Sequence, residues 1–254
     1  MSGRRLAAFA GSVGLCLACA EIGPAGRPAS IAFEDFPAPA VVAGDTLRDI
    51  SGAAVPLRAS VLDARNNPVP DAAVRFIAID DGLLITDDHF VIGETAGESV
   101  RIFAEVDGLQ TGVVRLDVTR RPDEVRGESD PEEVLEYVPP LIVTSDPFTV
   151  RVLHRDPSAP LDSVVPRYIV RFEVVGMAPG DTVPGYLVDE RGIRSLVDTT
   201  DAEGLAARRF RLNPATLQEL VDTLEIRAAV DYRGEPVAGS PVSFLLIIRP
   251  TPAS

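Results

Sequence analysis

The chain of 254 residues contains no lysine, no tryptophan and only two cysteines. Both cysteines, Cys16 and Cys19, lie among the first 20 residues, so the rest of the sequence can form neither a disulfide nor a thiolate metal site. Aromatic residues make up only 6% of the chain, which argues against the aromatic platform of a carbohydrate-binding protein. Neither of the two histidines, His89 and His154, stands in a nucleophile-and-base arrangement with a glycine-flanked serine. The sequence therefore predicts a protein that is not an enzyme and that uses no cofactor.

Positive charge is also in short supply, because 24 arginines stand against 38 acidic residues and the formal net charge is −14. A nucleic-acid-binding protein needs a basic surface that releases counterions, so this balance argues against a nucleic-acid partner. Lysine is missing from predicted strands and loops alike. We therefore interpret its absence as a compositional bias and not as part of a mechanism.

Residues 1–20 have the features of an export signal. A short cationic start precedes the apolar run Leu6–Ala18, which is shorter than the roughly 18 residues that a membrane-spanning helix needs. Two processing routes are open: residues 1–18 form a lipoprotein leader and Cys19 is lipidated, or cleavage after Ala20 releases a soluble protein. No other apolar run approaches spanning length, so acyl chains on Cys19 would be the protein's hold on a membrane.

Both routes export the protein, either as an outer-membrane lipoprotein or as a periplasmic or extracellular protein. The outer membrane is favoured for a lipidated form, because Ala20 is not the aspartate that commonly retains such proteins in an inner membrane. Residues 21–30 include Gly23-Pro24-Ala25-Gly26 and are predicted to form a flexible tether.

Alternation of apolar and polar residues predicts a sandwich over residues 31–120. The alternation between Leu57 and Val61 resumes at Val74 and Phe76, and the residues between the two runs carry turn chemistry. The strands predicted in this half are Ile31–Phe33, Leu57–Leu62, Ala73–Ala78, Leu83–Ile85, Phe90–Ile92, Ser99–Val106 and Gly112–Val118. Short strands at this spacing are typical of an antiparallel β-sandwich.

A second sandwich is predicted over residues 141–250, so the fold class is all-β with two antiparallel sandwiches in tandem. Its strands alternate most clearly at Tyr168–Val174, Leu224–Tyr232 and Val242–Ile248. Asn213 followed by proline has the features of a helix start, and one short helix is predicted at Pro214–Val221. The interval 121–140 is crowded with acidic residues and prolines, which predicts a solvated, acidic linker.

Carboxylates gather at two adjacent turns of the first half. Asp80, Asp81, Asp87 and Asp88, together with His89, could offer ligands to a hard cation such as calcium. Their spacing matches no recognised calcium loop, and aspartate is an ordinary turn residue, so solvated turns are the alternative interpretation. The acidic residues of 121–140 have the same two interpretations, as calcium ligands or as solvated side chains.

Catalytic chemistry finds little support elsewhere in the sequence. Asp189-Glu190 could in principle do acid–base work, but this pair precedes Arg191-Gly192, which is predicted to be an exposed hairpin turn. No glycine-rich phosphate loop is present, because the glycines of the second half are separated by prolines and match no nucleotide fingerprint. We therefore predict no catalytic residue.

The segment Asp63–Phe76 resembles the strand-turn-strand unit of bacterial immunoglobulin-like domains, found in intimin and invasin adhesins, which follows the pattern D-x-x-x-N-P-V-x-x-x-x-V-x-F. The stretch from Asp88 to Gly108 is similar to the later strands of the group 2 form. Thr200–Ala206 is similar to the T-D-x-x-G-x-A turn of the group 1 form. The resemblance implies cell-surface or secreted sandwich modules and implies no catalytic residue.

Three functions are compatible with these features. The first is a non-enzymatic binding or structural module of the cell envelope, used in adhesion or envelope assembly, with a protein or glycan partner at the cell surface. An exposed sheet edge or a loop end would then make the contact. The alternatives are a periplasmic carbohydrate-active accessory protein and a passive spacer.

Overall fold

The computed structural model describes residues 26–159, 162–176, 183–213 and 223–251. Within those ranges every regular element is a β-strand, and no helix there has the length and hydropathy needed to cross a membrane. The predicted leader, the lipidation site Cys19 and the predicted helix Pro214–Val221 lie outside the described residues. Of the predicted tether, the described part is attached to the first sandwich, since Ala29 N–H donates to Leu62 O at 2.8 Å.

The first half of the chain forms nine strands. They are β1 (Ser30–Phe33), β2 (Ala40–Val42), β3 (Ala59–Leu62), β4 (Arg75–Ala78), β5 (Leu83–Ile85), β6 (Val91–Gly93), β7 (Ser99–Val106), β8 (Leu109–Gln110) and β9 (Val114–Thr119). One sheet has the order β2-β9-β7-β4, in which β2 is parallel to β9 and the other pairs are antiparallel. The facing strands are the antiparallel pairs β1-β3 and β5-β6.

The second half forms thirteen strands within the described residues. They are β10 (Glu124–Gly127), β11 (Glu132–Tyr137), β12 (Val143–Thr144), β13 (Phe148–His154), β14 (Ser163–Val164), β15 (Ile169–Gly176), β16 (Gly185–Val188), β17 (Val197–Thr199), β18 (Leu205–Leu212), β19 (Thr223–Ala229), β20 (Asp231–Tyr232), β21 (Glu235–Pro236) and β22 (Val242–Pro250). One sheet has the order β11-β22-β19-β15-β17. The other has the order β10-β13-β18-β12, with β14 on β13 and β16 on β18.

The two halves repeat one strand order. In each, a short early strand lies parallel to the last strand, as β2 does to β9 and β11 does to β22. The last strand then pairs antiparallel with the strand before it in the sheet, and that strand pairs with an earlier one. This arrangement, with a second sheet packed against it, is that of an immunoglobulin-like sandwich. The predicted fold class is therefore confirmed.

Each sandwich has its own core, and the alternation in sequence explains which residues fill it. On β7, Val100, Ile102 and Ala104 are fully buried, while Arg101 between them is exposed. In the second core four phenylalanines are almost completely buried: Phe148, Phe172, Phe210 and Phe244. Phe76, by contrast, is only half-buried at the margin of the first core, where its ring lies 5.8 Å from that of Phe33.

The prediction of an acidic linker at 121–140 is wrong. This interval supplies β10, which pairs with β13, and β11, which pairs with the last strand. Val125 and Leu135 are buried in the second core, so the second sandwich begins well before residue 141. High charge does not prevent strand formation here, because the acidic side chains lie mostly on the outer face. Some are also paired with arginines, as Glu124 is with Arg126 of the same strand and Glu128 is with Arg151 of β13.

Candidate functional site

The carboxylates proposed as a cation site do not converge. Asp80 is bound by Arg101, whose Nη2 lies 2.7 Å from Oδ1 and whose Nε lies 2.9 Å from Oδ2. This guanidinium lowers the pKa of Asp80 to about 2. Asp81, Asp87 and Asp88 are exposed. Across the described ranges no three histidine, cysteine, aspartate or glutamate side chains come together in a way that could hold a metal ion.

His89 takes a structural position beside the first core. Its ring meets the ring of Phe76 edge-on, with 4.9 Å between the centroids, and its backbone adopts a positive φ of 67° in the turn. The backbone carbonyl of His89 accepts a hydrogen bond from Leu57 N–H at 2.9 Å. These contacts fix the turn between β5 and β6.

The acids predicted to form the linker are engaged by side chains of the second sandwich. Asp123 Oδ1 lies 2.6 Å from Arg121 Nη2, and Asp123 Oδ2 lies 2.7 Å from His154 Nδ1. Glu124 is paired with Arg126 at 2.7 Å and with Arg155. These arginines hold the pKa of Glu124 below its usual range. Such ion pairs join β10 to neighbouring segments and do not form an open cation site.

Asp189 serves a turn, as the exposed-hairpin interpretation expected. Its Oδ1 accepts hydrogen bonds from the backbone N–H groups of Arg191 at 3.0 Å and Ile193 at 2.7 Å. Gly192 completes the turn with a φ of 79°, which a glycine adopts without steric cost. The carboxylate is therefore occupied by backbone donors and is not arranged with Glu190 for acid–base chemistry.

The most distinctive polar site of the described chain lies where the two sandwiches meet. Ile169, at the start of β15 in the second sandwich, packs against the core of the first. Thr119, at the end of β9, donates its hydroxyl to the carbonyl of Pro166 at 2.7 Å. Arg167 Nε lies 3.3 Å from Asp117 Oδ2. The end of one sandwich thus contacts the beginning of the other through apolar, hydrogen-bonded and ionic contacts.

Asp45 is the buried centre of this joint, with only 5% of its surface exposed. Arg48, from the same sandwich, donates from Nη2 to Oδ1 at 2.9 Å and from Nε to Oδ2 at 3.0 Å. Arg233, from the second sandwich, donates from Nε to Oδ2 at 3.0 Å. Burial disfavours the charged carboxylate, but the two guanidinium groups outweigh it and hold the pKa of Asp45 well below its usual range.

A second polar layer surrounds this centre. Tyr168 is largely buried and donates its hydroxyl to the carbonyl of Asp231 at 2.7 Å, while the side chain of Asp231 pairs with Arg171. The remaining cavity between these groups has a volume of about 60 Å³. That space admits a few water molecules and is far smaller than the usual small-molecule pocket. The joint is therefore built for contact between the sandwiches and not for a metabolite.

Sequence reasoning did not predict this site. Asp45 and Arg233 are separated by 188 positions, and neither belongs to a motif with known spacing. The available signal was the sequence Arg233-Gly234, which is typical of a turn and joins β20 to β21.

The strand order and the two separate cores define this chain as a tandem of immunoglobulin-like sandwiches. No family model matches the sequence, and no curated protein matches it. Similar solved structures include the Yersinia pseudotuberculosis adhesin InvE, at 17% identity and a TM-score of 0.32. The alignment covers 85% of this chain and only 58% of that adhesin.

Two other similar structures are also two-domain proteins or fragments. Domains 4 and 5 of the S-layer protein SbsC align with 86% of this chain and 96% of their own length, at 10% identity and a TM-score of 0.31. Rst D1-D2 aligns with 87% of this chain over its full length, at 10% identity and a TM-score of 0.29. At these identities and TM-scores the similarities do not indicate a function for this chain.

Proposed function

We propose that the protein is an exported, non-enzymatic module of the cell envelope, in which the two sandwiches act in series between an N-terminal attachment and a partner. The observation that supports this most directly is the position of the chain ends. The first described residues and the last described residues lie at opposite ends of the tandem, on either side of the joint.

The start of the first sandwich lies far from the joint. Gly52 lies at the joint, and the chain runs from there into β3, which ends at Leu62. Ser30 pairs with Leu62 at the start of β1. Because β1 also contacts the distal hairpin formed by β7 and β8, residue 30 lies at the end of the first sandwich remote from the second.

The end of the second sandwich that carries the last described residues is reached along β22. Its first residue, Val242, pairs with Ala228, which is next to the joint residue Ala229. The strand then continues for nine residues to Pro250, about 28 Å away from the joint. Tyr137, at the end of β11, pairs with Pro250 at that distal end.

The distal end of the second sandwich has the character of a contact surface. The segment that follows β11 exposes Leu141 and Ile142, each with 62% of its surface accessible, and Val138 is about half exposed. Neighbouring exposed apolar side chains often mark an interaction site, which favours a binding role over a purely passive spacer. We propose a protein or glycan at the cell surface as the partner, because sandwiches commonly bind through their end loops.

Cell fractionation tests the export and attachment parts of this proposal. If Cys19 is lipidated, the wild-type protein enters the membrane fraction, its intact mass includes acyl chains, and Cys19→Ser releases it or leaves it unprocessed. Ala20→Arg is the matched control and should change the fractionation much less. An unprocessed wild-type protein that remains in the cytoplasm would contradict the proposal, whereas a processed but soluble protein would support export without the anchor.

A further inference from the structure

Asp45 is a buried carboxylate that no binding or catalytic role explains. An ionised carboxylate is expensive to remove from water unless charged donors compensate it, and here the donors come from both sandwiches. Arg48 holds the carboxylate within the first sandwich. Arg233 reaches the same oxygen, Oδ2, from the second. The buried charge of Asp45 is therefore fully compensated only while the sandwiches are joined.

We propose that Asp45, Arg48 and Arg233 form a clasp that fixes the angle between the sandwiches, so that the protein moves as one rigid body and unfolds in a single transition. The inference goes beyond the proposed function and does not depend on export or on a partner. It replaces the expectation from sequence of two domains separated by a solvated linker.

The backbone around the clasp leaves little room for rotation. Arg48 Nη1 donates to Gly52 O at 2.8 Å, which ties the clasp to the turn formed by residues 49–53. In that turn Asp49 Oδ1 accepts hydrogen bonds from Ser51 N–H and Ala53 N–H. A Cβ atom on Gly52 would collide with the backbone nitrogen of Gly234, in the hairpin of the second sandwich that carries Arg233. The glycine thus allows two backbones to meet directly beside the ion pair.

The groups that bond directly to Asp45 all favour its ionised form. Thr46 N–H donates to Oδ1 at 2.8 Å, and the hydroxyl of Tyr232 also bonds to the carboxylate. Burial and the neighbouring Asp45 raise the pKa of Tyr232, so its hydroxyl keeps its proton at neutral pH. Two other carboxylates line the same cavity, and each has its own partners: Asp231 is paired with Arg171, and Asp49 accepts hydrogen bonds from the backbone of its turn. The clasp is therefore a constitutive feature and not a switch that neutral pH would open.

Calorimetry and small-angle X-ray scattering on the full-length protein test the clasp. The wild-type protein should give one unfolding transition and a scattering profile of a single rigid shape. Arg233→Gln removes the donor that crosses the joint and should separate two transitions by at least about 5 °C, with a broader distribution of interatomic distances. Arg101→Gln breaks an exposed ion pair inside the first sandwich and is the matched control, for which we expect one transition.

A second pair of variants tests the joint without touching the charges. Gly52→Ala and Gly192→Ala each put a side chain at a position of positive φ in the same kind of turn, so the two variants have the same backbone strain. They differ in that only Gly52 faces the other sandwich. A Cβ on Gly192 would meet the Arg211 guanidinium at an ordinary 3.5 Å. Gly52→Ala should separate the transitions, and Gly192→Ala should only lower the melting temperature.

Three outcomes would overturn the proposal. The first is a wild-type protein with two transitions. The second is that Arg233→Gln and Gly52→Ala both retain the single transition and the scattering profile of the wild type. The third is that Gly52→Ala alone separates the transitions, because the joint would then depend on backbone packing and not on the ionic clasp.

Discussion

Asp63 and Asp201 hold the same position in two copies of one turn, one in each sandwich. In the first, Asp63 Oδ1 accepts hydrogen bonds from the N–H groups of Arg65 at 2.8 Å and Asn67 at 2.9 Å. In the second, Asp201 Oδ1 accepts from the residues two and four positions later, both at 2.9 Å. The backbone hydrogen bonds that close the two turns also match.

The turn occurs twice more in the described residues, beginning at Asp49 and at Asp189, so the described part of each sandwich contains two copies. The fourth residue of each copy has a positive φ. These residues are Gly52, Asn66, Gly192 and Gly204, with φ of 86°, 61°, 79° and 74°. Glycine and asparagine tolerate this conformation best, which explains the sequence pattern of aspartate followed three positions later by glycine or asparagine. The two turn motifs noted in the sequence, at Asp63 and at Asp201, are thus one structural unit.

We predict that Asp201→Ala lowers the free energy of unfolding by about 1 kcal/mol, because two backbone N–H groups lose their acceptor. Urea denaturation would measure the change. Glu203→Ala lies in the same turn but removes an exposed side chain, and its effect should stay within about 0.5 kcal/mol. Equal losses for the two variants would show that the aspartate does not stabilise the turn.

Arg208 is another buried charged residue of the described chain, with 6% of its surface exposed on a core-facing position of β18. Its Nη1 lies 2.8 Å from Asp198 Oδ2, and its Nη2 donates to the carbonyl of Val197. Because Val197 and Asp198 belong to β17, Arg208 connects the two sheets of the second sandwich. We predict that Asp198→Ala destabilises the protein by about 3 kcal/mol, because it leaves a buried guanidinium without its counter-ion.

The exposed pair of Arg101 and Asp80 is the comparison for that measurement. Breaking it with Arg101→Gln should change the free energy of unfolding little, since water screens the charges. Urea denaturation should therefore show a clearly larger loss for Asp198→Ala than for Arg101→Gln. Similar losses would mean that water reaches Arg208 in solution.

Glu133 should give a pH-dependent stability of the opposite sign to the usual carboxylate. Burial raises its pKa, against a hydrogen bond from Asp146 N–H at 2.7 Å, so the fold favours the protonated form. That favourable contribution is present at low pH and is lost as pH rises through the folded pKa. Glu133→Gln should therefore raise the melting temperature at pH 7, and the gain should shrink toward pH 4.

Glu132→Gln provides the control for the Glu133 variant. Glu132 precedes Glu133 on β11 but lies on the exposed face, so its replacement should change the melting temperature little at either pH. A Glu133→Gln protein that is less stable than the wild type at pH 7 would contradict the assignment of burial as the dominant effect.

The sequence predicted the strands well where alternation was regular, and it failed where charge was taken as a sign of disorder. Ser99–Val106 has the predicted bounds, because apolar residues alternate with more polar ones along it and its buried positions recur with a period of two. In 121–140 the same period was present around Leu135, but the surrounding acids obscured it. The joint could not be predicted, because the contact of Asp45 with Arg233 depends on the relative placement of two complete sandwiches.

Phe172 and Phe76 should contribute differently to the stability of the protein. Phe172 is almost completely buried in the second core, so Phe172→Ala should cost about 3–5 kcal/mol. The alternation that resumes at Val74 and Phe76 favours a core position for Phe76, but this residue is only half-buried, so Phe76→Ala should cost clearly less than Phe172→Ala. Thermal denaturation of the two variants would test the ranking, and a larger loss for Phe76 would contradict the observed margin of the first core.

Fragments of the second half test where that sandwich begins. A fragment of residues 121–254 retains β10 and β11, whereas a fragment of residues 141–254 loses Val125 and Leu135 from the core and an edge strand from each of the two sheets. Burial of two such side chains contributes about 3–6 kcal/mol, which is comparable to the entire stability of many domains. We therefore expect cooperative urea unfolding, followed by circular dichroism, for the longer fragment only. If the shorter fragment unfolds with the same midpoint, then β10 and β11 are accessory strands and the predicted boundary at residue 141 is adequate for folding.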